Sequence, residues 1–224
     1  MDSNFFKKSL PVFLIMAVFS VGMIIAIYNL LTPTKKLPVF NPSDVNPKLV
    51  DESVVHVRRN HKVADFKLIN QNGDTITQDN YAGKIYVTDF FFTRCMTICP
   101  IMTNNIWKLQ EVFKDDNDIR FLSLSVTPVI DSVSVLKEYA ISKGVIDAKW
   151  NITTGDKKHI YELARKSYFA VLEEGDGGLQ DFIHTENFIL VDKKKQIRGF
   201  YDGTNSEDIE RLILDIRILK NESK

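Results

Sequence analysis

The longest feature in the pattern of apolar and polar positions lies near the start of the chain. Between residues 9 and 34 there is no charged residue, and 18 of those 26 positions are apolar. At 1.5 Å per residue, a helix over residues 10–31 crosses about 30 Å of hydrocarbon. The stretch exceeds the apolar core of a signal peptide, offers no small-x-small cleavage site, and has no lipoprotein cysteine nearby. It reads as an uncleaved transmembrane anchor over residues 9–31, with residues 1–8 as a short cytosolic segment. Lys7 and Lys8 before the span are nearly balanced by Lys35 and Lys36 after it, so the positive-inside rule does not orient it. So short a leading segment leaves the bulk of the chain expected outside the cytosol.

Residues 32–60 contain Pro33, Pro38, Pro42 and Pro47 with little periodicity, which predicts an extended linker. The globular part is expected over residues 61–224. Its first element is a hairpin over 66–77, turning at Asn72-Gly73. The β-branched and aromatic run 85–92 predicts a central strand. Residues 100–113 carry Ile101, Ile106, Leu109, Val112 and Phe113 at helical spacing, with Pro100 in the first turn. A strand over 119–126, a helix over 132–142 and a helix over 157–168 follow. Strands over 188–192 and 197–201 pair across the turn Lys193-Lys194-Lys195, taken as a solvated charge run. A helix over 207–219 closes the chain, opened by Thr204-x-x-Glu207 as a capping box. This order predicts an α/β fold: a thioredoxin-like mixed sheet flanked by helices on both faces, with an N-terminal hairpin.

Composition narrows the function. Twenty-nine basic and 29 acidic residues give a net charge of zero, which argues against a nucleic-acid binder or a polybasic membrane clamp. Hydrophobic residues at 44% and charged residues at 26% are the proportions of a globular protein with a core. There is no nucleotide-binding glycine loop, and nothing supports a Ser-His-Asp hydrolase.

The chemistry rests on the two cysteines, Cys95 and Cys99, in Thr93-Arg94-Cys95-Met96-Thr97-Ile98-Cys99-Pro100. They fall between the end of a strand and the start of a helix, where backbone N–H groups and the helix dipole favour a thiolate. Three readings stay open: a redox pair, two-thirds of a soft-metal site, or an inert bridge, whose small loop would remove little chain entropy. A third ligand would separate them. Of the four histidines, His56 and His61 lie in the linker and at the domain edge and read as solvated. His159 reads as an exposed helix-face residue. His184 stands just before the strand 188–192, whose approach lies close to the cysteine loop in a sheet of this kind. Two thiolates and an imidazole suit Cu(I), whereas zinc wants a fourth ligand or water. Asp89, inside an apolar strand, either faces outward at a strand end or is a buried group that must be paired or protonated. Met96 reads as ordinary loop packing, with a copper-binding thioether as the sharper alternative.

These residues resemble the Sco/SenC family, membrane-anchored copper proteins of cytochrome c oxidase assembly. Phe92-Thr93-x-Cys95-x-x-x-Cys99-Pro100 is similar to that family's F-T-x-C-P-D-x-C-P segment. Ser125-Val126-Thr127-Pro128 with Asp131, and Leu136 with Tyr139, resembles its S-V-D-P-x-x-D-x-x-x-x-L-x-x-Y stretch. Trp150 to Gly155 resembles its W-x-x-L-T-G segment, and His184-Thr185 its metal-site histidine. The resemblance spans about residues 62–218. It implies copper, as Cu(I) and secondarily Cu(II), on Cys95, Cys99 and His184, with the same cysteines able to cycle as a dithiol–disulfide pair. It implies a domain held outside the cytosol, on the periplasmic side of a bacterial inner membrane or in the mitochondrial intermembrane space. The implied client is the CuA centre of oxidase subunit II, or another periplasmic copper or thiol protein. The alternative is a membrane-tethered thiol-disulfide oxidoreductase that needs no copper. The chain departs from the pattern at Met96 and Thr97, where the family has Pro and Asp, and at Thr127, where it has Asp.

Overall fold

A computed structural model describes residues 3–31, 36–45, 56–171, 178 and 181–222. The chain divides into two units, Met1–Lys36 and Leu37–Lys224. The first is built on one helix, α1 (Ser3–Leu31). Its window Leu10–Ile27 has a mean hydropathy of 2.7 and buries none of its residues in protein. A helix that is apolar all round suits lipid. It is long enough to cross a membrane, and it starts before the predicted anchor, taking in Lys7 and Lys8.

The second unit holds a seven-stranded sheet in the order β2-β1-β5-β4-β3-β6-β7. The hairpin is β1 (Lys67–Asn70) and β2 (Thr75–Thr77), joined through Gly73 at φ 82°. The turn is wider than the two residues expected, because the Asn70 side-chain oxygen receives the N–H groups of both Asn72 and Asp74 at 2.9 Å. β3 (Ile85–Phe91) is buried at every position and runs parallel to β4 (Ile119–Ser125). β4 runs parallel to β5 (Trp150–Thr154). On the other side β3 pairs antiparallel with β6 (Asn187–Val191), which pairs with β7 (Ile197–Asp202).

β3 explains the layering. Successive side chains of a strand point to opposite faces. Ile85, Val87 and Phe91 meet Met102, Ile106 and Leu109 of α2 (Cys99–Val112), Leu136 of α3 (Val133–Ser142), and Leu212 and Ile216 of α5 (Ser206–Glu222). Tyr86 and Phe90 face the other core with Tyr161, Leu163 and Tyr168, around α4 (Lys157–Glu162). Each fully buried Leu, Ile or Met in these stripes contributes roughly 1.5–3 kcal/mol relative to exposure. Ser132 caps α3, its hydroxyl accepting the Val135 N–H.

Several expectations are corrected. Part of the predicted linker belongs to the folded unit: Leu37 is buried and Phe40 bridges to Ile197 of β7, because this short apolar run covers an otherwise open sheet edge. β5 was not predicted; its polar Thr153 is accommodated because its hydroxyl donates to the Ser123 carbonyl at 2.9 Å. The helix expected over 157–168 ends as α4 at Glu162 and continues as a π-helical turn, Leu163–Ser167. The cap of α5 is Asn205, which receives the Glu207 and Asp208 N–H groups, while the Thr204 hydroxyl bonds to Asp202 instead. The lysine turn is not merely solvated: Lys193 pairs with Asp118 and Lys195 with Asp65, each at 2.7 Å.

One close approach fixes how β7 enters α5. The Gly203 N–H donates to the Glu186 carbonyl at 2.7 Å, and Asn105 donates to the Gly203 carbonyl at 2.8 Å. A Cβ at Gly203 would stand 2.6 Å from the Phe188 ring and 2.9 Å from the Glu186 oxygen. Gly203→Ala is therefore expected to cost roughly 1–3 kcal/mol through overpacking, read as a lower midpoint in denaturant at unchanged slope.

Candidate functional site

Strand direction brings three segments to one end of the sheet. The loop after β3, the loop after the parallel β4 and the approach to the antiparallel β6 all lie there. The Val126 N–H donates to the Phe91 carbonyl at 2.9 Å, and the Phe92 and Phe182 rings meet edge to face at 5.2 Å. Such carboxyl ends of parallel strands are where open α/β sheets bind ligands.

A single carboxylate ties the first two segments. Asp131, 0% exposed, accepts the Thr93 hydroxyl at 2.5 Å and the Thr93 N–H at 3.2 Å. It also accepts the Ser125 hydroxyl at 2.5 Å and the Thr127 hydroxyl at 3.0 Å. A buried carboxyl so fully hydrogen-bonded is tolerated. Thr93 stands two residues before Cys95, so Asp131 sets where the cysteine loop leaves the sheet. Sequence reasoning missed this role; the signal was a lone acid following hydroxyl residues at a strand end.

Cys95 and Cys99 are both buried and unbridged. The first turn of α2 brings the Cys99 N–H to the Cys95 Sγ at 3.4 Å, and the Thr97 hydroxyl lies 3.6 Å from the same sulfur. At Cys95, burial works against the anion but is outweighed by hydrogen bonds from the Cys99 thiol and N–H and from Thr97, which bring the thiol down from 9.0 to about 7. At Cys99, burial dominates and, with the negative Cys95 and Asp89 nearby, pushes the thiol up to about 12. The pair thus has one ready thiolate and one guarded thiol. Two soft sulfurs within hydrogen-bond contact fit a soft cation such as Cu(I) as two of its ligands.

Asp89 does not face outward. It is 2% exposed, lies in the β3 series that faces the cysteines, and accepts the Ser123 hydroxyl at 2.5 Å. Ser123 in turn accepts the Trp150 indole N–H at 2.8 Å. Burial outweighs that hydrogen bond and raises the carboxyl from 3.8 to about 7.

The histidines sort differently from expectation. The His61 Nε2 lies 2.8 Å from the Ser167 carbonyl and its ring packs on Phe169 at 4.5 Å, so it is held rather than solvated; its pKa is lowered, chiefly by burial. His159 is half-buried, its Nε2 accepting the Lys67 N–H at 3.4 Å. His184 is exposed between buried Ile183 and Thr185, with the Thr185 hydroxyl bonded to the Ala170 carbonyl at 2.7 Å. The structure therefore unites Cys95 with Cys99 and puts His184 at the same end of the sheet. Among the described residues no three His, Cys, Asp or Glu side chains are grouped closely enough to hold a metal ion. The segment carrying His184 is itself anchored: Arg165 grips Asp181 through two 2.7 Å hydrogen bonds, and the Tyr161 hydroxyl reaches the Val126 and Asp181 carbonyls at 3.0 and 3.2 Å. Met96 does not pack in the loop; it is 93% exposed.

The fold and the thiol pair define a thioredoxin-like protein with a Cys-x-x-x-Cys loop at the carboxyl end of its sheet. Residues 55–220 match the SCO1/SenC family model, and the chain belongs to that family. It is 32% identical over 160 residues to the SCO1 protein homolog of Bacillus subtilis, covering 70% of this chain and 82% of the relative. It is similar to the solved structure of BsSco, described as a Sco-family cytochrome c oxidase assembly protein with a disulfide switch. That match has a TM-score of 0.61 and 32% identity, covering 71% of this chain and 94% of the other. It shares its fold with Bradyrhizobium japonicum ScoI, solved with copper bound, at a TM-score of 0.56 and 22% identity over 70% of this chain and 99% of the other.

Two outcomes test the electrostatics. Alkylation by iodoacetamide, followed by mass spectrometry of the cysteine peptide, is expected to label Cys95 with a rate midpoint near pH 7, while Cys99 stays unreactive below about pH 10. Asp89 keeps its proton in the folded state where the unfolded chain has lost it, so its contribution to stability declines as pH rises from about 4 to about 7 and then levels off. The decline amounts to roughly 4 kcal/mol at most. Urea unfolding across that range should show Asp89→Asn gaining on the parent protein as pH rises.

Proposed function

We propose that this protein is a membrane-tethered copper-handling assembly factor for cytochrome c oxidase. The observation that carries the reading is the asymmetric thiol pair held at the end of β3 by Asp131 in a chain of the SCO1/SenC family. Copper bound in a solved protein of the same fold supports the choice of metal. In this reading Cys95, Cys99 and His184 are the ligands of one Cu(I), a soft three-donor set. Copper is cargo: it leaves for the CuA centre of oxidase subunit II by ligand exchange, with no net electron transfer. His184 is exposed at the end of the sheet that carries the cysteine loop, so its imidazole is open to an incoming metal. The domain works outside the cytosol, on the outer face of a bacterial inner membrane.

The thiol asymmetry also favours a second reading. The Cys95 thiolate could attack a client disulfide and form a mixed disulfide, which the Cys99 thiol, once deprotonated, would then resolve. The client would gain two electrons and the protein would end with a Cys95–Cys99 disulfide. This dithiol reductase needs both cysteines and no His184.

The test is a Cu(I) competition titration of the full-length, reduced chain in detergent, repeated with Cys95→Ser, Cys99→Ser and His184→Ala. The expected result is one tight equivalent, weakened at least tenfold by each substitution, with His184→Ala leaving reduction of a model disulfide within about twofold of the parent. Failure to retain copper, with full disulfide reductase activity, would replace the first reading by the second.

A further inference from the structure

Five methionines occur in the chain, and two of them, Met96 and Met102, lie in the second unit. Met102 is fully buried in the core between α2 and the sheet, whereas Met96 is 93% exposed. Burying a Met side chain contributes roughly 1.5–3 kcal/mol, and the fold forgoes that at Met96. The residues around it are committed. Thr93 is bound to Asp131, the Cys95 sulfur accepts the Cys99 N–H, the Thr97 hydroxyl lies against the Cys95 sulfur, and Ile98 packs on the core. Both ends of the loop are therefore held while a flexible, polarisable thioether stands beside Cys95 in solvent. His184, by contrast, belongs to another segment and is not grouped with the two sulfurs.

From this arrangement we infer that Met96 is the entry ligand for Cu(I). The inference rests on the copper-handling reading above and deepens it. One loop supplies three sulfur donors: the Cys95 thiolate, the Cys99 sulfur, whose thiol gives up its proton to solvent as copper binds, and the Met96 thioether. Copper is captured on these three, and His184 then displaces Met96. A Cu–N bond forms as the Cu–S(thioether) bond breaks. The metal stays Cu(I), and the thioether has no proton to lose or gain.

The experiment uses the full-length chain in detergent, with Met96→Leu to remove the sulfur while keeping the apolar bulk. Stopped-flow capture of Cu(I) from a coloured chelator is expected to slow about tenfold in Met96→Leu, with final affinity changed less than threefold. In a His184→Ala background, X-ray absorption at the copper edge is expected to show three sulfur neighbours, and adding Met96→Leu should cost at least a further tenfold in affinity. Capture at the parent rate in Met96→Leu, together with unchanged affinity in the double variant, would overturn the inference while leaving the Cys95–Cys99–His184 site intact. A defect in Met96→Ala that Met96→Leu restores would also overturn it, because the side chain would then act by its bulk and not its sulfur. A parent chain that retains no Cu(I) at all would remove both the inference and the reading beneath it.

Discussion

The geometry of the working end depends on the Asp131 carboxylate. Four donors from three residues converge on it, and those residues stand on two different segments. The loops after β3 and β4 would otherwise be joined mainly by the ladder between the two strands. Locking Thr93 and Thr127 to one anion converts two loops into a single rim. The turn of α2 then presents its first N–H to a sulfur whose distance from the sheet is already set. The carboxyl is held by hydroxyl and N–H donors alone among the hydrogen bonds that tie the two loops.

Beneath the rim, β3 is a strand with no exposed face. Its aliphatic and aromatic side chains divide between two cores; Thr88 and Asp89 are its polar positions, and Asp89 is the ionisable one. The Ser123 and Trp150 groups give it a short polar chain across β4 and β5, the minimum needed to keep a carboxyl in an apolar layer. Its proton is held where an ordinary aspartate would be ionised, and its charge, when present, opposes a second negative charge at Cys99. Core and thiol chemistry are therefore electrostatically coupled through one residue.

What was legible in the sequence was what depends on local pattern. The β-branched and aromatic run announced β3, and the helical stripe through Ile106 and Leu109 announced α2. Placing Cys95 and Cys99 between strand and helix needed only that much. β5 escaped because Asn151, Thr153 and Thr154 look unsuited to a sheet centre until their side chains find partners across strands. His61 looked solvated because its partners, Ser167 and Phe169, are about a hundred residues away. The Asp131 knot was invisible for the same reason: each donor is an ordinary hydroxyl residue, and only the parallel pairing of β3 with β4 gathers them. Met96 failed in the opposite sense, since packing is the default for a loop methionine and this one is left in solvent.

The π-helical turn Leu163–Ser167 fixes the length of the chain at this point. Its widened ring, closed by the Tyr168 N–H on the Leu163 carbonyl at 2.8 Å, takes in one residue more than an α-helical hydrogen bond spans. Deleting a residue there would restore ordinary helical hydrogen bonding, yet would turn everything beyond it by about 100°. Arg165 grips Asp181 from within that turn, and Ser167 holds both His61 and the Ala64 N–H from its end. Removing one residue from the turn is therefore expected to part Arg165 from Asp181 and Ser167 from His61 and Ala64 together.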